Sequence, residues 1–142
     1  MNLQEQIRKV LKEETLKQTL INEIMRSGIL DTAKLLSVSV EELLKIAGIT
    51  GTQNDMIFLA KVIMDNEIKE RVNYCSYDVV PTRYSIDIVV YIPKPSPENI
   101  GNYMYDQKPR NESYELISKA IYGLGGGLIR GHNIDVYNTG NC

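Results

Sequence analysis

The chain has 142 residues, of which 43% are hydrophobic and 24% are charged, and these values are those of a folded globular protein rather than a disordered chain. The net charge of −2 gives no overall electrostatic attraction for nucleic acid, although it leaves room for a local basic patch. Apolar runs such as residues 88–92 are too short to span a bilayer, and the N-terminus lacks a signal-peptide pattern, so we expect no membrane partner.

The few cysteine and histidine residues limit the chemistry further. Cys75 and Cys142 do not make a disulfide framework, which favours a reducing, cytoplasmic location. His132 is the only histidine, and neither it nor the cysteines show the spacing of metal ligands. We therefore expect no metal and no cofactor.

The composition changes sharply near residue 70. All nine tyrosines and all five prolines follow this point, whereas Leu, Ile, Glu and Lys dominate before it. These earlier residues are mostly good helix formers. The sequence therefore predicts a helical part over residues 1–70 and an α+β part over residues 71–142.

Helix signals divide the first part of the chain. Residues before Gly28 form either one bent helix or two helices, the second beginning at Thr15, whose spacing to Gln18 is that of a capping box. Gly28 is a natural stop because glycine adopts left-handed backbone angles easily. Asp31 then predicts the cap of a short helix over 32–36.

Two further caps predict the next helices. Ser39 with Glu42 forms a capping box for a helix over residues 40–47. Thr52 predicts the start of a long helix that runs to about Lys69, with an apolar face. The residues on that face are Met56, Ala60, Ile63 and Met64.

Residues 32–46 resemble the helix-turn-helix class of DNA-binding proteins. The apolar residues with the spacing to pack two such helices are Ala33, Leu36, Val38, Leu43 and Ile46. Ser37 stands where such motifs usually have glycine. The second helix presents Glu41 and Glu42 and one basic residue, Lys45. Its carboxylates would repel the phosphates of DNA rather than bind them. A helical pair used for packing or dimerisation is the alternative.

Residues 84–93 predict the central strand of the second part. Its alternating pattern is rich in β-branched and aromatic residues, and Pro93 ends it because proline has no N–H to donate. One face carries Tyr84, Ile86, Ile88, Val90 and Ile92. A strand over 72–79 and a turn at Pro81 complete a predicted antiparallel hairpin.

Residues 93–111 predict a long irregular loop, and loops of this length are usually functional or mobile. Aromatic and basic residues alternate along it: Tyr103, Tyr105, Lys108 and Arg110. Such residues suit stacking on a base with contact to a phosphate, and they suit a protein–protein contact equally well.

The remaining residues predict a helix over 112–122, a stop at the glycines of 123–127, and a last strand over 128–137. The helix would direct Tyr114, Ile117 and Ile121 inward. A phosphate loop is rejected, because its glycines precede a helix rather than follow one.

Arg130 and His132 alternate to one face of this last strand, beside apolar residues. A buried arginine needs an anionic partner. Asp87 or Glu115 is one candidate partner, and a bound carboxylate or phosphate is the other.

We expect an α+β fold in which an N-terminal helical bundle precedes a small, mainly antiparallel sheet of three or four strands with one helix. A sheet covered by one helix leaves a face exposed, so we also expect a homo-oligomer.

No catalytic residue is predicted, and three functional hypotheses remain. The first is a non-catalytic binding protein that holds a small anionic, nucleotide-like ligand. Its predicted site residues are Arg130, His132, Tyr103, Tyr105, Arg110 and Lys108. The second is a DNA-binding regulator, which the acidic second helix disfavours. The third is a structural or assembly protein whose tyrosine-rich half forms an interface.

Overall fold

The computed structural model describes residues 2–125 and 127–142, without the side chains at 3, 6–14, 103, 105 and 106. The described residues form five α-helices and a three-stranded mixed sheet, which confirms the α+β class. The chain divides into two compact units, Met1–Thr50 and Gly51–Cys142. The change in composition at residue 70 therefore falls inside the second unit.

The first unit consists of three helices: α1 Leu3–Ser27, α2 Ile29–Leu36 and α3 Val40–Ile46. The one-helix alternative for the N-terminal segment is confirmed, because α1 passes through Thr15 without a break. The side chain of Asn2 caps this helix and accepts a hydrogen bond from the backbone N–H of Glu5 at 2.9 Å.

Of the two N-terminal caps predicted for α2 and α3, one is wrong and one is confirmed. Gly28 ends α1 as expected, but α2 begins at the next residue, so Asp31 lies in its first turn and the prediction that Asp31 caps it is wrong. The Ser39 cap is confirmed, since its hydroxyl accepts a hydrogen bond from the N–H of Glu42 at 3.1 Å.

The second unit begins with the predicted long helix. Helix α4 spans Gln53–Val62 and continues as a π-helical turn over Ile63–Ile68. Thr52 caps it by accepting a hydrogen bond from the N–H of Asp55 at 3.2 Å. The predicted apolar face is confirmed, because its four residues are all buried and α4 packs against the sheet.

The sheet has the order β1–β2–β3, with strands Ser76–Pro81, Ile86–Pro93 and Asn133–Gly140. Strands β1 and β2 form the predicted antiparallel hairpin, although β1 begins four residues later than expected. Strands β2 and β3 are parallel, and the crossover that such a pair requires contains a helix. The core face of β2 is buried at Ile86, Ile88, Val90 and Ile92.

That crossover helix, α5, spans Tyr103–Leu124, so the prediction of an irregular loop to residue 111 is wrong. Only residues 94–102 connect β2 to α5, and they include a short 3₁₀ turn over Pro97–Asn99. Proline in a helix interior costs about 3 kcal/mol, so Pro109 disfavours a helix when the sequence is considered alone. Burial of Ile117 and Ile121 along the same helix offsets this cost.

The inward face of α5 is only partly as predicted. Ile117 and Ile121 are buried, but the expectation that Tyr114 points inward is wrong, since 47% of it is exposed. The glycines do end the helix: the N–H of Gly125 bonds to the carbonyl of Ile121 at 3.0 Å, and Gly127 is left-handed with φ 78°.

Cys75 and Cys142 form a disulfide bond, contrary to expectation. The strand directions explain the pairing: the start of antiparallel β1 and the end of parallel β3 both lie at the carboxyl end of β2. Disulfides persist in oxidising compartments, so the cysteines no longer favour a reducing location. Within the described residues, no helix is long and apolar enough to cross a membrane.

Candidate functional site

A cleft of about 400 Å³ lies at the carboxyl end of β2, beside the first half of α5. Crevices at the carboxyl ends of parallel strands are common ligand sites in sheets with crossover helices. The wall of this cleft is mainly apolar, and its apolar residues are Val72, Ile92, Pro93, Pro95, Pro109 and Leu116.

Two cations line the same cleft. Arg71 follows the π-helical turn, where its backbone N–H bonds to the carbonyl of Ile68 at 2.9 Å. Lys94 directly follows β2 and lies between two prolines, whose rings restrict the backbone there. Among the side chains that the structure describes, neither cation makes a hydrogen bond or an ion pair, whereas the lining includes one carboxylate, Glu112.

The predicted site residue Arg130 lies elsewhere. The strand begins only at Asn133, and the left-handed backbone of Gly131, with φ 62°, interrupts the alternation that would have placed Arg130 beside His132. The Arg130 side chain is exposed, and its Nε donates a hydrogen bond to the carbonyl of Gly127 at 3.1 Å. The premise that Arg130 is buried on a strand face is therefore wrong.

His132 lines a small polar cavity of about 210 Å³ between α5 and the start of β3, together with Tyr114 and Ser118. Its ring packs against Tyr122, with the centroids 4.9 Å apart. Its Nδ1 is buried and has no hydrogen-bond partner in the described part of the chain. Arg130 is not among the residues that line this cavity.

Lys108 and Arg110 both line an open groove along the first half of α5. Arg110 is held by the sheet, because its Nε donates a hydrogen bond to the carbonyl of Val136 at 2.7 Å. Tyr103 and Tyr105 belong to the same helix, but their side chains lie outside the described residues. The structure thus places Lys108 and Arg110 in one groove, and the lining of this groove includes neither Arg130 nor His132.

Two tyrosines meet the π-helical turn beside β1. The hydroxyl of Tyr77 donates to Asp65 Oδ1 at 2.6 Å, and that of Tyr74 donates to the carbonyl of Met64 at 3.0 Å. Burial, and then the nearby Asp65 carboxylate, raise the pKa of both hydroxyls. Both tyrosines therefore stay protonated at neutral pH and join the turn to the sheet rather than act as bases.

The helix-turn-helix-like segment keeps part of its predicted packing. Ala33 and Leu43 are buried, but Leu36 and Ile46 are each about two-fifths exposed. Ser37 takes the left-handed conformation that such turns require, with φ 55°. Both acidic residues in the first turn of α3 are exposed, and this is the end of a recognition helix that faces base edges.

Sequence reasoning missed Arg71 and Lys94. The one available signal was a lysine between two prolines at the end of the central strand. No sequence signal marked Arg71, because its position depends on how the π-helical turn packs against the sheet. In the described ranges, no group of three His, Cys, Asp or Glu side chains is arranged to hold a metal ion. No family model, curated protein or solved structure matches this chain.

Proposed function

We propose that this protein is a non-catalytic binding protein for a small anionic molecule, held in the cleft at the carboxyl end of β2. The observation that carries the proposal is the pairing of a mainly apolar wall with two cations, Arg71 and Lys94, that make no ion pair with any described side chain. The proposal keeps the class of ligand predicted from the sequence and moves its site.

The size and charge of the cleft limit the class of ligand that it can bind. A volume of about 400 Å³ lies within the usual range for small-molecule sites. An arginine offers a planar pair of donors to a carboxylate or phosphate, and a lysine adds a compact charge. Because Glu112 lies in the same lining, the best ligand carries one or two negative charges on an apolar or aromatic body.

Isothermal titration of the full chain against nucleoside monophosphates, sugar phosphates and aromatic carboxylates tests this proposal. We expect at least one of these anions to bind, and Arg71→Gln/Lys94→Gln to weaken it at least about tenfold, because charge-assisted hydrogen bonds contribute about 1.5–3 kcal/mol each.

Arg130→Gln is the control, since it removes an exposed arginine outside the cleft and should leave the affinity unchanged. Two results would contradict the proposal: no heat from any member of the panel, or binding that Arg130→Gln abolishes and Arg71→Gln/Lys94→Gln leaves intact.

A further inference from the structure

One face of the sheet carries none of the described helices of the second unit. The strand register places residues of the three strands side by side on this outer sheet face, in the rows Ser76–Tyr91–Tyr137, Asp78–Val89–Asp135 and Val80–Asp87–Asn133. The opposite face carries the buried isoleucines of β2, where α4 and α5 pack. The edge strands leave the outer sheet face open, since 45% of Val80 and 47% of Tyr137 are exposed.

The outer sheet face is acidic. Asp78, Asp87 and Asp135 all belong to it, and none of the strand residues that form it is a lysine or an arginine. Asp78 and Asp135 share a row and are separated by one strand, which places their backbones about 10 Å apart. Three carboxylates in so small an area, without a cation in the rows, favour a positively charged occupant.

Aromatic rings lie in the row next to Asp78 and Asp135. Tyr91 and Tyr137 stack with their centroids 5.9 Å apart and their planes 27° from parallel. A tyrosine ring face attracts a guanidinium group, and an aspartate accepts two hydrogen bonds from the same group. The neighbouring rows therefore offer both of the contacts that arginine makes best.

An oxygen atom on the central strand of this face lacks a hydrogen-bond donor. Oδ1 of Asp87 is buried and accepts no hydrogen bond from any described residue. Native structures rarely leave a buried carboxylate oxygen without a donor.

We propose that the outer sheet face is a docking surface for a basic, arginine-containing segment of a partner protein. Its guanidinium groups lie against Tyr91 and Tyr137 and bond to the three aspartates. A second copy of this chain fits the face poorly, because two such faces would bring six carboxylates into one interface, and like charges placed together are strongly unfavourable.

Fluorescence anisotropy with a labelled oligo-arginine peptide and the full chain tests the proposal. We expect the peptide to bind, added salt to weaken it, and an oligo-glutamate peptide of the same length not to bind. The variant Asp78→Asn/Asp87→Asn/Asp135→Asn should reduce the affinity at least about tenfold, because it removes three charge pairs.

The control variant Glu41→Gln/Glu42→Gln/Glu70→Gln changes the net charge equally at exposed positions that belong to no strand, and it should retain the affinity to within about twofold. Circular dichroism checks that each variant folds. If Asp87→Asn prevents folding, Asp78→Asn/Asp135→Asn replaces the triple variant, since both of these aspartates are exposed.

A third variant separates ring stacking from charge. Tyr137→Leu should weaken the binding of oligo-arginine more than the binding of oligo-lysine of equal length, because a guanidinium group stacks on the tyrosine ring. The proposal is overturned if the peptide does not bind, or if both triple variants lose affinity equally. It is also overturned if sedimentation shows that the chain forms a dimer and that the aspartate substitutions change the dissociation constant of this dimer. The outer sheet face would then join two copies of the chain.

Discussion

At the scale of single residues, Gly140 shows why the end of β3 tolerates only the smallest side chain. A Cβ atom at this position would lie 2.7 Å from Cys75 Sγ and 2.7 Å from the carbonyl oxygen of Ile92. Backbone and a disulfide sulfur cannot move aside as a flexible side chain can. Gly140 is therefore required by the close approach of the end of β3 to Cys75 and Ile92.

We expect Gly140→Ala to lower the free energy of unfolding by about 1–3 kcal/mol, since overpacking of a rigid site has that effect. Urea unfolding of the oxidised protein measures it. Gly123→Ala is the matched control, because a methyl group added there would have no described atom within 4 Å and α5 should gain about 0.5–1 kcal/mol. Equal effects of the two substitutions would contradict the steric explanation.

At the scale of elements, Tyr77 ties β1 to the π-helical turn through its bond to Asp65. π-Helical turns inside α-helices are rare and often occur at functional sites. Here the turn ends at Ile68, shortly before Arg71 and Val72 enter the lining of the cleft. The position of Arg71 therefore depends on how this junction between turn and sheet is held.

The raised pKa values of Tyr74 and Tyr77 predict the alkaline stability of this junction. Below pH 10, the ordinary tyrosine pKa, both the folded and the unfolded state keep these protons. As the pH rises above that value the unfolded state releases them first, so the free energy of unfolding should fall.

Urea unfolding at about pH 8, where the hydroxyls are protonated in both states, and at about pH 11 measures this loss. Tyr77→Phe should make the loss smaller, with Tyr74 responsible for a remainder. Asp65→Asn keeps both hydroxyls and should also reduce it, because the carboxylate raises both pKa values. A loss of stability that neither variant reduces would show that other groups are responsible.

At the scale of the whole molecule, the disulfide closes a loop of 67 residues that contains the entire sheet and α5. Closing a loop of this length restricts the unfolded chain and stabilises the folded one by about 4 kcal/mol in the chain-entropy model. None of this loop belongs to the unit Met1–Thr50.

We therefore expect a reducing agent to lower the free energy of unfolding of the unit Gly51–Cys142 by up to about 4 kcal/mol and to leave the unfolding of Met1–Thr50 unchanged. Hydrogen exchange of the oxidised and reduced protein distinguishes the two units. Cys142→Ser should reproduce the effect of the reductant and should abolish any further response to it. Equal exchange in both redox states would show that the bond contributes nothing.

Part of the secondary structure could be predicted from the sequence alone because it depends on local interactions. The alternation along β2, the caps at Ser39 and Thr52 and the stop at Gly28 each depend on residues within a few positions of one another. Such short-range patterns act whatever the rest of the chain does. They were sufficient for the helical start, the hairpin and the α+β class.

Only the tertiary structure decided which distant residues meet. The pairing of Cys75 with Cys142 follows from opposite strand directions on either side of β2, and the cleft follows from how α5 crosses between parallel strands. The direction of Arg130 turned on the left-handed backbone of Gly131, where a simple alternation no longer holds. Contacts between residues far apart in the chain leave no periodic pattern in the sequence, because they are determined by strand pairing and burial together.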